Sequence, residues 1–135
     1  MADAPLIITR DEQTRTATLT LNRPDKRNAL NAALVGEMTQ ALRSLATDAA
    51  IRVLIVRGNG KAFCAGADLE SLKALQTATR EQNIADSEAL RDMLLALYSF
   101  PKPTIAQVHG PALAGGAGIA SCCDFVLASS DASLG

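Results

Sequence analysis

Phe63-Cys64-Ala65-Gly66-Ala67-Asp68-Leu69 has a distant counterpart in His109-Gly110-Pro111-Ala112-Leu113-Ala114-Gly115-Gly116-Ala117-Gly118. Each segment follows an apolar run that reads as a buried parallel strand, and each is built from residues small enough for a ligand to touch the main chain. Gly and Ala offer no side-chain chemistry. What such turns contribute is N–H groups aimed at a developing negative charge, so the pair reads as an oxyanion site. A competing reading of the same glycines is that they let a helix pack closely on a sheet.

Outward from the first turn, Ile51-Arg52-Val53-Leu54-Ile55-Val56 is nearly all apolar, as a strand buried on both faces requires, and Gly58-Asn59-Gly60 breaks it. Before it, Leu34, Met38, Ala41, Leu42 and Leu45 recur at spacings of four and three, which predicts a helix capped by Asn31. Leu6–Thr9 and Thr16–Leu21 read as a hairpin, with Thr18 and Thr20 on its wet face and Ala17, Leu19 and Leu21 on its packed one. Together these segments predict a β–α–β unit with a right-handed crossover.

After the first turn, Leu69 to Leu75 predicts a short helix, and Glu81 to Ser99 a longer one with Ile84, Leu90, Leu94, Leu97 and Tyr98 on its apolar side. Gln76-Thr77-Ala78-Thr79 between them is the expected mobile segment. Thr104–Val108 is the strand that delivers the second turn, and a helix starts near Gly115 and runs to about Cys123. Phe125–Ala128 reads as a further strand. Ala132–Gly135 begins another extended piece, so the chain reads as part of a longer domain, and a strand and helix faces left without partners predict association.

Composition narrows the function classes. The 135 residues fit one domain, and 48% are apolar, enough for a real core. A net charge of −1 and only 3% aromatic residues give neither the basic face nor the stacking platform of a nucleic-acid binder. Met1–Pro5 lacks the charged and apolar regions of a secretion signal, and no run is long enough to span a membrane, so a cytoplasmic location is expected. Three cysteines, Cys64, Cys122 and Cys123, fit a reducing compartment, and a Ser-His-Asp catalyst would have to use the single His109.

Nucleotide and metal readings fit poorly. Gly110 and Gly115 have P-loop spacing, but Gly116 and Ala117 occupy the positions of its Lys and Ser/Thr. No G-x-S-x-G elbow frames Ser121. The adjacent Cys122 and Cys123 point about 100° apart on a helix and form no C-x-x-C pair, so buried thiols are expected rather than a metal site.

The segment Leu19 to Leu30, with Asn22-Arg23-Pro24-Asp25-Lys26-Arg27-Asn28-Ala29-Leu30 at its heart, then Ala62 to Leu69, then Val108 to Gly118 followed by Cys123-Asp124, resembles the enoyl-CoA hydratase/isomerase family, the crotonase fold. The resemblance implies an α/β fold, a crotonase-like spiral of ββα units, of which residues 1–135 are the N-terminal part of a single acyl-CoA-binding domain. It implies an acyl-CoA thioester substrate, with coenzyme A entering as part of the substrate and no permanently bound cofactor. Trimers or pairs of trimers are also implied.

Carried over by position, the resemblance makes the N–H groups of Ala67 and Gly115 the donors to the thioester oxygen. It makes Lys26, Arg27, Ala29, Ala65, Gly66, Asp68 and Leu69 the coenzyme A-binding residues, which gives the cationic loop an anion to attract. Read from composition alone, that loop is a solvated turn. Asp68 and Asp124 match family positions and read as structural, and Glu70 as exposed.

Two departures bear on the reaction. Family hydratases carry a glutamate three residues after the second oxyanion donor, where this chain has Gly118, and the family's other glutamate falls just beyond Gly135. One-base chemistry such as double-bond isomerisation is then easier to picture than hydration by paired carboxylates. The expectation is an enzyme of the hydratase/isomerase type, a lyase or isomerase of fatty acid metabolism. The alternative is a non-catalytic coenzyme A-binding or assembly module, or an inactive remnant.

Overall fold

A computed structural model describes residues 3–135. Strands β1 (Leu6–Asp11) and β2 (Thr16–Leu21) form the antiparallel hairpin read from their β-branched residues. Helix α1 (Ala32–Ala46) then returns the chain to β3 (Val53–Gly58), which pairs parallel with β2. Asn31 is the cap: its side chain accepts from Leu34 N at 2.9 Å, a contribution of about 1 kcal/mol. Leu34, Met38, Leu42 and Leu45 of α1 are almost completely buried against Leu19, Leu21, Leu54 and Val56 of the sheet.

Helices α2 (Leu69–Thr77) and α3 (Arg80–Tyr98) follow, then β4 (Thr104–Val108), the short β5 (Pro111–Ala112), α4 (Gly115–Cys122), β6 (Phe125–Ala128) and β7 (Ser133–Leu134). The main sheet runs β1-β2-β3-β4-β6, parallel from β2 onward, and β5 pairs with β7 in a second, two-stranded sheet. Helix α3 packs on α1 and α4, bringing Met93 and Leu97 into the same core as Ile119.

Three expectations are corrected. First, β3 is buried on one face only: Leu54, Val56 and Gly58 are buried, whereas Val53, Ile55 and Arg57 are half-exposed. The helices of the described residues cover a single side of the sheet, and on the other side β6 is exposed along its length. Second, Thr20 is buried rather than wet, with Arg57 Nη1 reaching its hydroxyl across the parallel pair at 3.4 Å. Third, Ile84 and Tyr98 are exposed. The inward face of α3 is Leu90, Met93, Leu94 and Leu97; Tyr98 lies about 100° round from Leu97, on the outer side.

The segment between α2 and α3 is a tight junction. Thr79 and Gln82 form a reciprocal capping box, Thr79 Oγ1 accepting from Gln82 N and Gln82 Oε1 from Thr79 N. Of Met1–Pro5, the first two residues lie outside the described chain. No helix among the described residues is long and apolar enough to cross a membrane.

Candidate functional site

The two small-residue turns meet. Cys64 and Ala112 form a parallel bridge, Leu113 N donating to Cys64 O at 2.9 Å and Cys64 N to Pro111 O at 3.2 Å. Gly116 makes the approach possible, because a Cβ there would stand 2.2 Å from the Cys64 carbonyl oxygen. For Gly116 the close-packing reading is therefore correct. Gly115, one residue earlier, has a different situation.

Gly115 is the first residue of α4, where helix geometry leaves N–H groups without intrahelical acceptors. Gly116 N finds Leu113 O at 2.8 Å, but among the described residues the Gly115 amide has no protein acceptor. Its direction is set by Ala114, a non-glycine residue held at φ 50° and ψ −113°. That is a sparsely populated conformation for an L-residue. Main-chain bonds secure it: Ala114 N donates to Gly135 O at 2.6 Å and Gly135 N to Ala112 O at 3.1 Å.

Ala67 arrives from the other side. Leu30 N donates to Gly66 O at 2.7 Å and Asp68 N to Leu30 O at 2.9 Å, a one-residue parallel bridge centred on Ala67. Because main-chain groups alternate in direction along an extended segment, the N–H of Ala67 faces away from that bridge. It too has no protein acceptor among the described residues. Gly66 makes the bend at φ +94°, where a side chain would also press on the Leu113 carbonyl. Ala67 and Gly115 both line a cavity of about 150 Å³ whose walls are Leu30, Val35, Leu72, Leu75 and Leu90.

Side chains hold the first turn in place. Asn28, fully buried and at φ 57°, accepts from Arg23 N at 2.7 Å and donates to the carbonyls of Asn59, Ala62 and Phe63 at 2.8, 3.0 and 3.2 Å. Arg23 reaches Ala29 O and pairs with Asp68 at 3.0 Å. Asp68 also caps α2, accepting from Glu70 N and Ser71 N. Its carboxyl is held below the usual range, by the Ser71 N–H first and then by Arg23. Asp68 therefore has the structural part expected of it. So has Asp124, which exchanges two bonds with Thr104 at 2.9 and 2.8 Å.

Lys26, Arg27, Ala29, Ala65, Ala67, Asp68 and Leu69 line one open cleft of about 400 Å³. The sequence reading missed that Asp25 and Glu70 share it, so its charge is mixed. Of the predicted binding residues, Gly66 lines neither space and Gly115 lies in the neighbouring cavity. Ala67 is the one residue that lines both spaces.

The thiols and the histidine stand apart from this chemistry. Burial pushes the Cys64 thiol up, with Sγ 3.2 Å from Asn28 O, and pushes Cys123 up to about 12. His109 Nε2 lies 2.7 Å from Gly60 O. Among the described residues, no three His, Cys, Asp or Glu side chains gather to hold a metal ion. Gly118 faces α3, where a Cβ would make ordinary contact with Leu94 at 3.8 Å. Sequence reasoning also missed Asn28 and Arg23, whose partners lie up to 45 residues away.

The chain is similar to known proteins in sequence and in fold. The chain is 39% identical over 130 residues to 2,3-dehydroadipyl-CoA hydratase of Escherichia coli K12, covering 96% of this chain and 48% of that protein. It is 39% identical over 120 residues to the mitochondrial enoyl-CoA hydratase domain-containing protein 2 of Bos taurus, covering 88% of this chain and 40% of that one. The solved enoyl-CoA hydratase of Mycobacterium smegmatis superposes with a TM-score of 0.92 at 38% identity, over 98% of this chain and 50% of that one. The chain thus spans about half the length of the curated relatives it matches. Residues 11–135 match the family model described as enoyl-CoA hydratase/isomerase, and with the crotonase-fold likeness above, the chain belongs to that family.

Proposed function

We propose that this protein binds an acyl-CoA thioester, with coenzyme A as part of the substrate, and stabilises an enolate of that thioester between the N–H groups of Ala67 and Gly115. The observation that carries this reading is the double position of Ala67. An acyl chain in the apolar cavity and a nucleotide-bearing arm in the open cleft would bring the thioester linking them to Ala67, the one residue that lines both. Two fixed donors in a site poor in water favour the charge that develops on the oxygen, and loss of one such donor typically costs about 3 kcal/mol of transition-state stabilisation. The start of α4 adds a favourable field at Gly115.

Lys26 and Arg27 attract the coenzyme A phosphates only weakly, being exposed and accompanied by Asp25 and Glu70. Self-association into trimers or hexamers is part of the proposal, supported by the exposed Phe125 and Leu127 of β6. The reaction is of the hydratase or isomerase type. A second reading, binding without turnover, is favoured by Gly118, which supplies no acid or base beside the second donor.

Titration calorimetry with crotonyl-CoA and with free coenzyme A, alongside an assay of crotonyl-CoA hydration, separates these readings. Tighter binding of the thioester together with turnover supports the enzyme. Binding without turnover supports the second reading, a thioester that binds no better than free coenzyme A contradicts the enzyme, and binding of neither contradicts both.

A further inference from the structure

The cavity that holds the two free amides is lined by apolar side chains with one ionisable exception, Asp86 of α3. Asp86 is itself exposed, and with Ser71 and Leu75 it is shared between the cavity and an outer groove that continues along α2 through Ala74, Thr77 and Ala78. It therefore stands where the cavity opens into that groove, whereas Ala67 and Gly115 line the cavity but not the groove, and Ala67 precedes the start of α2. From Leu69 to Leu75 the axis of α2 advances roughly 9 Å. An extended chain of roughly seven carbons covers that distance at about 1.3 Å per carbon.

Resting on the reading of the cavity as an acyl site, we propose that Asp86 is a specificity-determining residue that reads the distal end of the acyl chain. A carboxylate at the rim of an apolar channel repels a chain ending in a second carboxylate and accepts a hydrogen bond from one ending in an amine or hydroxyl. Ser71 and Asn31, the other polar side chains of the lining, carry no charge to offset it. No ion pair or hydrogen bond occupies the Asp86 side chain among the described residues, so its acceptors are open to a ligand. Chain length gates the effect, because a short acyl group ends before it reaches the rim.

The test is calorimetry on the 135-residue chain with butanoyl-CoA, octanoyl-CoA, the mono-CoA thioester of octanedioic acid, and 8-aminooctanoyl-CoA. The expected order is amino above octanoyl above dioic, with the dioic thioester about tenfold weaker than octanoyl-CoA at low salt. In Asp86→Asn, an isosteric change at an exposed position, that gap closes, and in Asp86→Lys it reverses. Equal binding of the three eight-carbon thioesters, or a gap that persists in Asp86→Asn, overturns the assignment of Asp86 and leaves the acyl site standing. Failure of butanoyl-CoA and octanoyl-CoA alike to bind better than free coenzyme A overturns both.

Discussion

The two turns that present the candidate donors share a main-chain bridge but differ in what else holds them. To their main-chain bridge with Leu30, residues 62–69 add side chains reaching in from elsewhere: Asn28 on the carbonyls of Ala62 and Phe63, and Arg23 on Asp68. Residues 109–118 are held by their own main chain, through the bridge to Cys64, the bonds to Gly135 and the absence of a Cβ at Gly116. The difference teaches where each amide is vulnerable. The first is displaced by deleting a buried polar side chain as well as by adding a methyl at Gly66, the second by adding a methyl at Gly116.

The largest effect is expected at Gly116. A side chain there must push into the Cys64 carbonyl, so Gly116→Val should destabilise by about 3 kcal/mol or more, read as loss of a cooperative urea transition. A variant that melts like the wild type would remove the close approach of the two turns. Asn28→Ala comes next. It leaves the buried Ala62 and Phe63 carbonyls and the Arg23 amide short of a partner, and should cost about 2–4 kcal/mol by the same measurement.

Arg23→Met should cost about 1–2 kcal/mol at neutral pH, since Asp68 keeps its two N–H donors. Its sign with pH is fixed. The Asp68 carboxyl is depressed in the folded state, so its contribution is complete above the unfolded carboxyl value and is lost as pH falls through the lower, folded one. The gap between wild type and Arg23→Met should therefore narrow below about pH 4. A gap that stays constant with acid would show that Arg23 acts through Ala29 alone. The smallest effect contrasts two glycines of α4: Gly118→Ala, with ordinary packing room, should stabilise by about 0.5–1 kcal/mol where Gly116→Ala destabilises.

Much of the frame was legible because it is local. Alternation placed Ala17, Leu19 and Leu21 in the core, the i, i+4 stripe fixed the buried face of α1, and Asn31 announced the helix start. Gly115 as the beginning of α4 was equally readable. Contacts across sequence distance were not. Nothing near Thr20 signals that Arg57 covers it, and nothing near Asn28 shows that its amide fastens a turn 35 residues on. The face of β3 left half-open is likewise a property of which layers surround it, which no strand's own residues encode.

At the site, the resemblance brought together Ala67 and the cationic loop, and the shared cleft accounts for their proximity. The acids that share that cleft, and Asp86 at the rim of the cavity, come from positions that read as ordinary solvated charges until the helices are packed.

The most direct measurement is a crystal structure of the chain with an acyl-CoA bound. The thioester oxygen should lie about 3 Å from both the Ala67 and the Gly115 nitrogens, with the acyl chain between Leu30 and Leu90. A thioester oxygen bonded to only one of those nitrogens, or seated outside the space they share, would contradict the paired-donor site.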